Sequence, residues 1–205
     1  MQLYYAKGTI AIAAAIALQE AGLDHTTARL DFGNADQTGA DYLRTNPKGR
    51  VPALVLNDGT VLTECGAILE FIASQSPRAD LVPDDAIAAA HMRMVMYYLA
   101  STMHVAHAHK MRGSRWADAQ SSFDDMKNKV PETMRACARY VENECLRGDY
   151  VLGDRFSIAD CYLFIACGWL PGDGVDLAEF PKITAYLDRI NARDSVKAVR
   201  AADML

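Results

Sequence analysis

Two short stretches carry residue types that can hold a peptide-like ligand. In Asn46-Pro47-Lys48-Gly49-Arg50-Val51-Pro52-Ala53-Leu54, Pro52 stands at a strand entrance. It fits there as a cis peptide where a turn needs one, and it leaves the Val51 N–H and C=O outside the ladder. A free pair of that kind grips an extended backbone as an added strand would. In Leu62-Thr63-Glu64-Cys65-Gly66-Ala67-Ile68, Glu64 and Cys65 open a helix, whose N–H groups and dipole attract a carboxylate, while Glu64 itself suits an ammonium. Taken singly, Pro52 ends a turn and Glu64 complements a helix dipole. In this order and at this spacing, the two together favour a bound ligand.

Other polar residues are open to a second meaning. Tyr97, Ser101 and His104 fall at i, i+4 and i+7, the spacing of one helix face. His104, His107 and His109 suggest a metal, but no carboxylate or thiol stands at helical spacing from them, so no metal site is expected. The methionines, among them Met92, Met94, Met96 and Met103, fit an adaptable helical core or apolar pocket.

The elements that must position these groups begin at MQLYYAKGTIAIAAAIALQEAG. Its apolar run resembles the middle of a secretory signal. Yet Leu3, Tyr4 and Tyr5 occupy the place of the basic leader segment and have strand propensity, and Gly22 closes the run as a helix end does. The reading is strand 2–5, turn, helix 9–21. A β-like run comes next over 26–32, then a helical piece at 40–44. Strands at 53–56 and 61–62 flank Asn57-Asp58-Gly59-Thr60, whose Asp-Gly favours a tight hairpin. The helix of residues 67–73 completes the order β-α-β-α-β-β-α.

Residues 77–85, rich in proline and aspartate, read as a linker between a domain at 1–76 and an all-helical domain at 86–205. The helices expected there are 86–112, 119–147, 158–170 and 182–193, with a last turn near 195–203. Phe156-Ser157-Ile158-Ala159-Asp160 is a capping-box pattern that marks a helix start.

With 205 residues, 51% of them hydrophobic, the chain has material for a packed core of one or two domains. A net charge of −5 and the lack of a basic stripe argue against nucleic acid. The apolar runs fall short of the roughly 20 residues of a membrane span. Five cysteines without C-x-x-C spacing fit reduced, buried thiols, and the expected compartment is the cytoplasm.

The two quoted motifs, with the Phe156–Asp160 box, Tyr162-Leu163-Phe164, Phe180-Pro181 and Tyr186, resemble the glutathione transferases, especially the bacterial beta class. The likeness runs over the whole chain. It implies an α/β thioredoxin-like domain that binds glutathione, an all-α domain that shapes the electrophile pocket, a homodimer, and a role in detoxification. In those terms Val51 and Pro52 hold the peptide backbone, Glu64 the ligand ammonium and Cys65 N–H the γ-glutamyl carboxylate. Lys48 or Arg50 replaces a lysine missing from the loop of residues 31–37, or either is a solvated turn charge. Cys65, where many relatives have Ser or Gly, is expected to pack and not to act as a nucleophile. His104 aligns with a pocket histidine of the beta class, beside Ile10, Tyr97 and Ser101.

The departure is at Ile10, where the beta class carries its cysteine. Two hydroxyls remain to activate the glutathione sulfur: Thr9 at the helix entrance, and Tyr5 at the strand end. Both positions are used elsewhere in the superfamily. Lowering a thiol pKa from about 8.5 to about 6.5 takes roughly 2.7 kcal/mol. One hydrogen bond to the charged sulfur, at about 1.5 to 3 kcal/mol, and a helix N-terminus at roughly 0.3 to 1 would suffice. The expected activity is transfer of glutathione to small apolar electrophiles. The alternatives are a non-catalytic glutathione carrier, suggested by Ile10, and an interaction scaffold, against which Val51, Pro52 and Glu64 argue.

Overall fold

The structure, a computed structural model, describes residues 1–205. The chain forms two compact units, residues 1–84 with 191–205, and residues 85–190.

In the first unit the order is β1 (Gln2–Tyr5), α1 (Ala11–Glu20), β2 (Thr26–Arg29), α2 (Ala40–Thr45), β3 (Ala53–Val55), β4 (Val61–Thr63) and α3 (Cys65–Gln75). The sheet runs β2-β1-β3-β4, with β1 and β2 parallel and the other pairs antiparallel. A helical crossover through α1 allows the parallel pair, and a short hairpin the β3–β4 pair. In that hairpin Gly59 takes φ +86 and Asp58 Oδ1 accepts the Thr60 N–H at 2.9 Å. Leu3, fully buried, lies opposite Leu54. Every residue from Ala11 to Leu18 is buried, so α1 is covered on all sides. Its alanines let neighbouring backbone come close at no cost in helix propensity. The helix stops where Gly22 adopts φ +63, with Gly22 N–H on Gln19 C=O and Leu23 N–H on Leu18 C=O, both at 3.1 Å.

The second unit contains α4 (Ala86–Tyr98), α5 (His104–Ala108), α6 (Gln120–Tyr140), α7 (Ile158–Gly168) and α8 (Pro181–Asn191). The capping box forms at α7. Asp160 accepts from Ser157 N–H at 2.8 Å and also from Val151 N–H at 2.9 Å, while Tyr186 Oη donates to the Asp160 carbonyl at 2.9 Å. No helix is long and apolar enough to cross a membrane.

Three details differ from the sequence expectation. The first two long helices are not uniform: π turns occupy Leu99–Met103 and Val141–Cys145. The first of them ends its helical run at Ala108, short of 112. The last helix, α9 (Asp194–Ala201), does not belong to the helical unit in which the sequence placed it. It packs on α1, where Arg193 donates twice to the Glu20 carboxylate, at 2.7 Å each. Burial pushes the Glu20 carboxyl up, but the hydrogen bonds from Arg193 and Ser195 outweigh it and leave it below its ordinary value.

His91 on α4 is buried, and neither ring nitrogen makes a hydrogen bond of ordinary geometry. Burial, helped by the Arg147 charge, lowers its pKa below 6.5. The unfolded chain then binds the proton more readily than the folded one, so stability is full above pH 6.5 and falls as the pH drops below it. Urea midpoints of the native protein should decline between neutral pH and pH about 5, and those of His91→Leu should decline less.

Candidate functional site

The turn that presents Val51 is stapled by two side chains. Asn46, buried, donates from Nδ2 to the Arg50 carbonyl at 2.6 Å and accepts the Lys48 N–H on Oδ1 at 3.2 Å. Tyr42 Oη reaches the same Arg50 carbonyl at 2.6 Å. Gly49 takes φ +60 between them, with a Cβ position 3.0 Å from the Gln37 carbonyl, so a larger residue is unwelcome there. The Val51–Pro52 peptide is cis. Beyond it, the Val51 N–H and C=O take no partner within the chain. Neither Asn46 nor Tyr42 was among the residues expected from the sequence. Asn two residues before a backbone N–H in a Pro-Lys-Gly turn is the Asx-turn signal that points to Asn46.

Glu64 sits at φ +70, ψ 121, an uncommon conformation for a side-chain-bearing residue, at the entrance of α3. Its side chain is 70% exposed and accepts from Lys48 Nζ, which also donates to Thr63 Oγ1 at 2.8 Å. The expectation had Glu64 holding the ligand ammonium and Lys48 or Arg50 replacing a loop lysine. Here the two are partners, so Lys48 already occupies the carboxylate expected to take an ammonium. Arg50 is exposed, and its carbonyl serves the staple. Cys65 is buried, its Sγ 3.8 Å from the Ile10 carbonyl, and desolvation pushes its thiol far up, with a smaller push from Glu64.

At the entrance of α1, Thr9 is not the helix cap. Its Oγ1 donates to the Ala6 carbonyl at 2.7 Å, and Ile10, buried, occupies the cap position with φ −60. Ile12 N–H and Ala13 N–H turn back to Thr9 and Ile10 carbonyls at 3.1 Å. The N–H groups of Ile10 and Ala11 have no acceptor in the chain. Tyr5 is buried beside Leu3 on the inward face of β1, whereas Tyr4 faces the other way onto Tyr42, with ring centroids 5.4 Å apart.

The helical unit disperses the face read from the sequence. The π turn adds a residue between Tyr97 and His104, which turns the two apart by about a quarter of a turn. Tyr97 is 71% exposed, and Ser101 Oγ is 3.4 Å from Thr102 Oγ1. His104 packs on Trp169 at 5.0 Å between centroids, and His109 meets Trp116 edge-on at 4.5 Å. His107 pairs with Asp173 at 2.6 Å and stacks on the same Trp169 at 4.2 Å, so the three histidines do not converge on one point.

Against known proteins, the glutathione S-transferase N-terminal domain matches residues 1–74, and the C-terminal domain of the same family matches residues 91–194. The chain belongs to the glutathione S-transferase family. It is 32% identical to glutathione S-transferase GstA of Escherichia coli over 100% of both chains. A glutathione transferase homologue from Sulfitobacter, solved with bound glutathione, is 61% identical with a TM-score of 0.99, covering 100% of this chain and 98% of that one. A beta-class transferase of Sphingomonas chungbukensis is 32% identical with a TM-score of 0.86, covering 99% of this chain and 98% of that one. The fold is therefore that of a transferase with a mixed four-stranded sheet and a helical domain, as the resemblance implied.

Asn46 is the residue of this site whose loss is easiest to read. Asn46→Ala leaves the Lys48 N–H without its buried acceptor and should cost about 1 to 3 kcal/mol of stability by urea denaturation. Glutathione affinity, measured by calorimetry, should fall with it because the turn no longer fixes Val51.

Proposed function

We propose that this transferase holds glutathione along Val51 and the α3 entrance, with the sulfur as a thiolate at the amino end of α1. The Ile10 and Ala11 N–H groups are the donors. What supports this is the hydrogen bonding at that entrance: the Thr9 hydroxyl is committed to Ala6, while the two amides are uncommitted. To serve the sulfur, Thr9 would have to give up a bond worth about 0.5 to 1.5 kcal/mol, which makes it a second source. Tyr5, buried with Leu3, is a third. Two amide hydrogen bonds to a charged sulfur, each about 1.5 to 3 kcal/mol, exceed what the thiol shift requires.

Glu64 receives the ligand ammonium in exchange for Lys48, and the Cys65 N–H receives the γ-glutamyl carboxylate. The electrophile is small and apolar, its pocket supplied by the helical unit around His104 and Trp169. The setting we assign is cytoplasmic detoxification.

Titrating glutathione while monitoring the ultraviolet band of the thiolate tests this. Ile10→Pro deletes one amide donor and keeps the backbone angle of φ −60. It should weaken the band and slow conjugation about tenfold or more, with circular dichroism unchanged, while Thr9→Ala should change turnover less than about threefold. The reverse order makes Thr9 the donor. Binding by the native protein without a band leaves a glutathione carrier.

We also propose a homodimer. Ile87, Met94 and Tyr97 are 76%, 47% and 71% exposed on α4, at i, i+7 and i+10, which forms a stripe along one side of the helix. A partner that covers this stripe explains an otherwise costly exposure. Light scattering should give twice the chain mass, and Met94→Asp should shift it toward one chain.

A further inference from the structure

Within the first unit, α9 braces α1 at both ends. Arg193 and Ser195, where α9 begins, hold Glu20 at the carboxyl end of α1. Where α9 ends, the chain meets the turn that leads into α1. Gly8 N–H donates to the Met204 carbonyl at 2.9 Å, and Lys7 Nζ pairs with Asp203 Oδ1. Arg29, opposite Tyr5 in the parallel strand pair, reaches Asp203 Oδ2 at 3.3 Å. This end of α9 is a Schellman closure: Asp203 N–H bonds to Arg200 C=O and Met204 N–H to Val199 C=O, both at 3.0 Å, with Val199 and Met204 buried. The closure puts one residue in the left-handed region, where glycine is the usual occupant because a side chain is disfavoured. Here that residue is Asp203, at φ +55. A carboxylate is what glycine would lack, and this one is used on two cations. The hydrogen bond and charge of Lys7 hold the Asp203 carboxyl below its ordinary value.

The turn so gripped lies outside the core: Lys7 and Gly8 are exposed, and Gly8 takes φ +68. The Thr9–Ile10 peptide follows at once, so the direction of the Ile10 N–H depends on how the turn is held. We infer that Asp203 is a positioning residue for the glutathione sulfur: through Lys7 and Gly8 it fixes the turn at residues 6–9 so that the Ile10 N–H points at the thiolate. This rests on the reading above, in which that amide is a donor. An exposed ion pair contributes little to stability by itself. A side chain kept where glycine is favoured therefore serves the placement of the turn more than the strength of the fold. Asp203 does this by geometry and against its own charge. A nearby carboxylate disfavours a thiolate, so loss of the charge alone would lower the thiol pKa, whereas loss of the hold raises it.

The test is Asp203→Gly, which suits φ +55 better than the native residue. Its urea midpoint should stay the same or rise. The pKa of bound glutathione, read from the ultraviolet thiolate band against pH, should rise, and kcat should fall about fivefold with KM for glutathione unchanged. Lys7→Met should shift the thiolate pKa the same way by less, because Arg29 still holds the carboxylate, and the double variant should be no worse than Asp203→Gly alone. A lower urea midpoint makes Asp203 a structural tie, a lower thiolate pKa makes it a charge alone, and an unmoved pKa makes it a solvated pair. Each of these overturns the inference and leaves the transferase reading standing. A native protein that binds glutathione without a thiolate band removes the inference together with the thiolate at α1.

Discussion

Complete burial of α1 is the constraint on which the first unit depends. A helix with no exposed face between Ala11 and Leu18 must find backbone or side chain on every side, and only small residues let sheet, α3 and α9 approach together. Once packed, the helix cannot slide without opening cavities, which cost stability in proportion to their volume. Its amino end is therefore held in place by the core itself. The N–H groups at that end are placed by the core and not by a side chain of their own, so the isoleucine at the cap leaves them where they are.

The α1 burial also decides which parts of the structure could be read from the sequence. Strand, helix and stop in the first 22 residues obey local rules: alternation, alanine content and a glycine at the helix end. The hairpin at Asp58-Gly59 and the box at Ser157–Asp160 are equally local, and both form. The features that escaped the sequence depend on distant partners. α9 looks like a final turn of the helical domain because nothing near it in sequence names α1 or Glu20. The π turns leave the apolar pattern intact on both sides and displace only the residues after them, so a face counted at α spacing across residues 99–103 is counted wrongly.

The candidate site was legible in its positions more than in its contacts. Val51, Pro52 and Glu64 can be located from turn chemistry and helix entrances, because proline and a helix start restrict the backbone. The Lys48–Glu64 pair could not, since it joins side chains 16 positions apart across a fold. The same holds for Thr9, where the sequence shows a hydroxyl at a helix entrance but not the carbonyl of Ala6 that engages it. Asp173 and His107 are 66 positions apart, and their meeting is a product of packing.

All five cysteines are interior. Desolvation raises the Cys65, Cys137 and Cys167 thiols and brings Cys145 up to about 12. Exchange with a disulfide proceeds through the thiolate and needs access to it. Burial and desolvation together therefore work against exchange between these thiols and a disulfide such as oxidised glutathione.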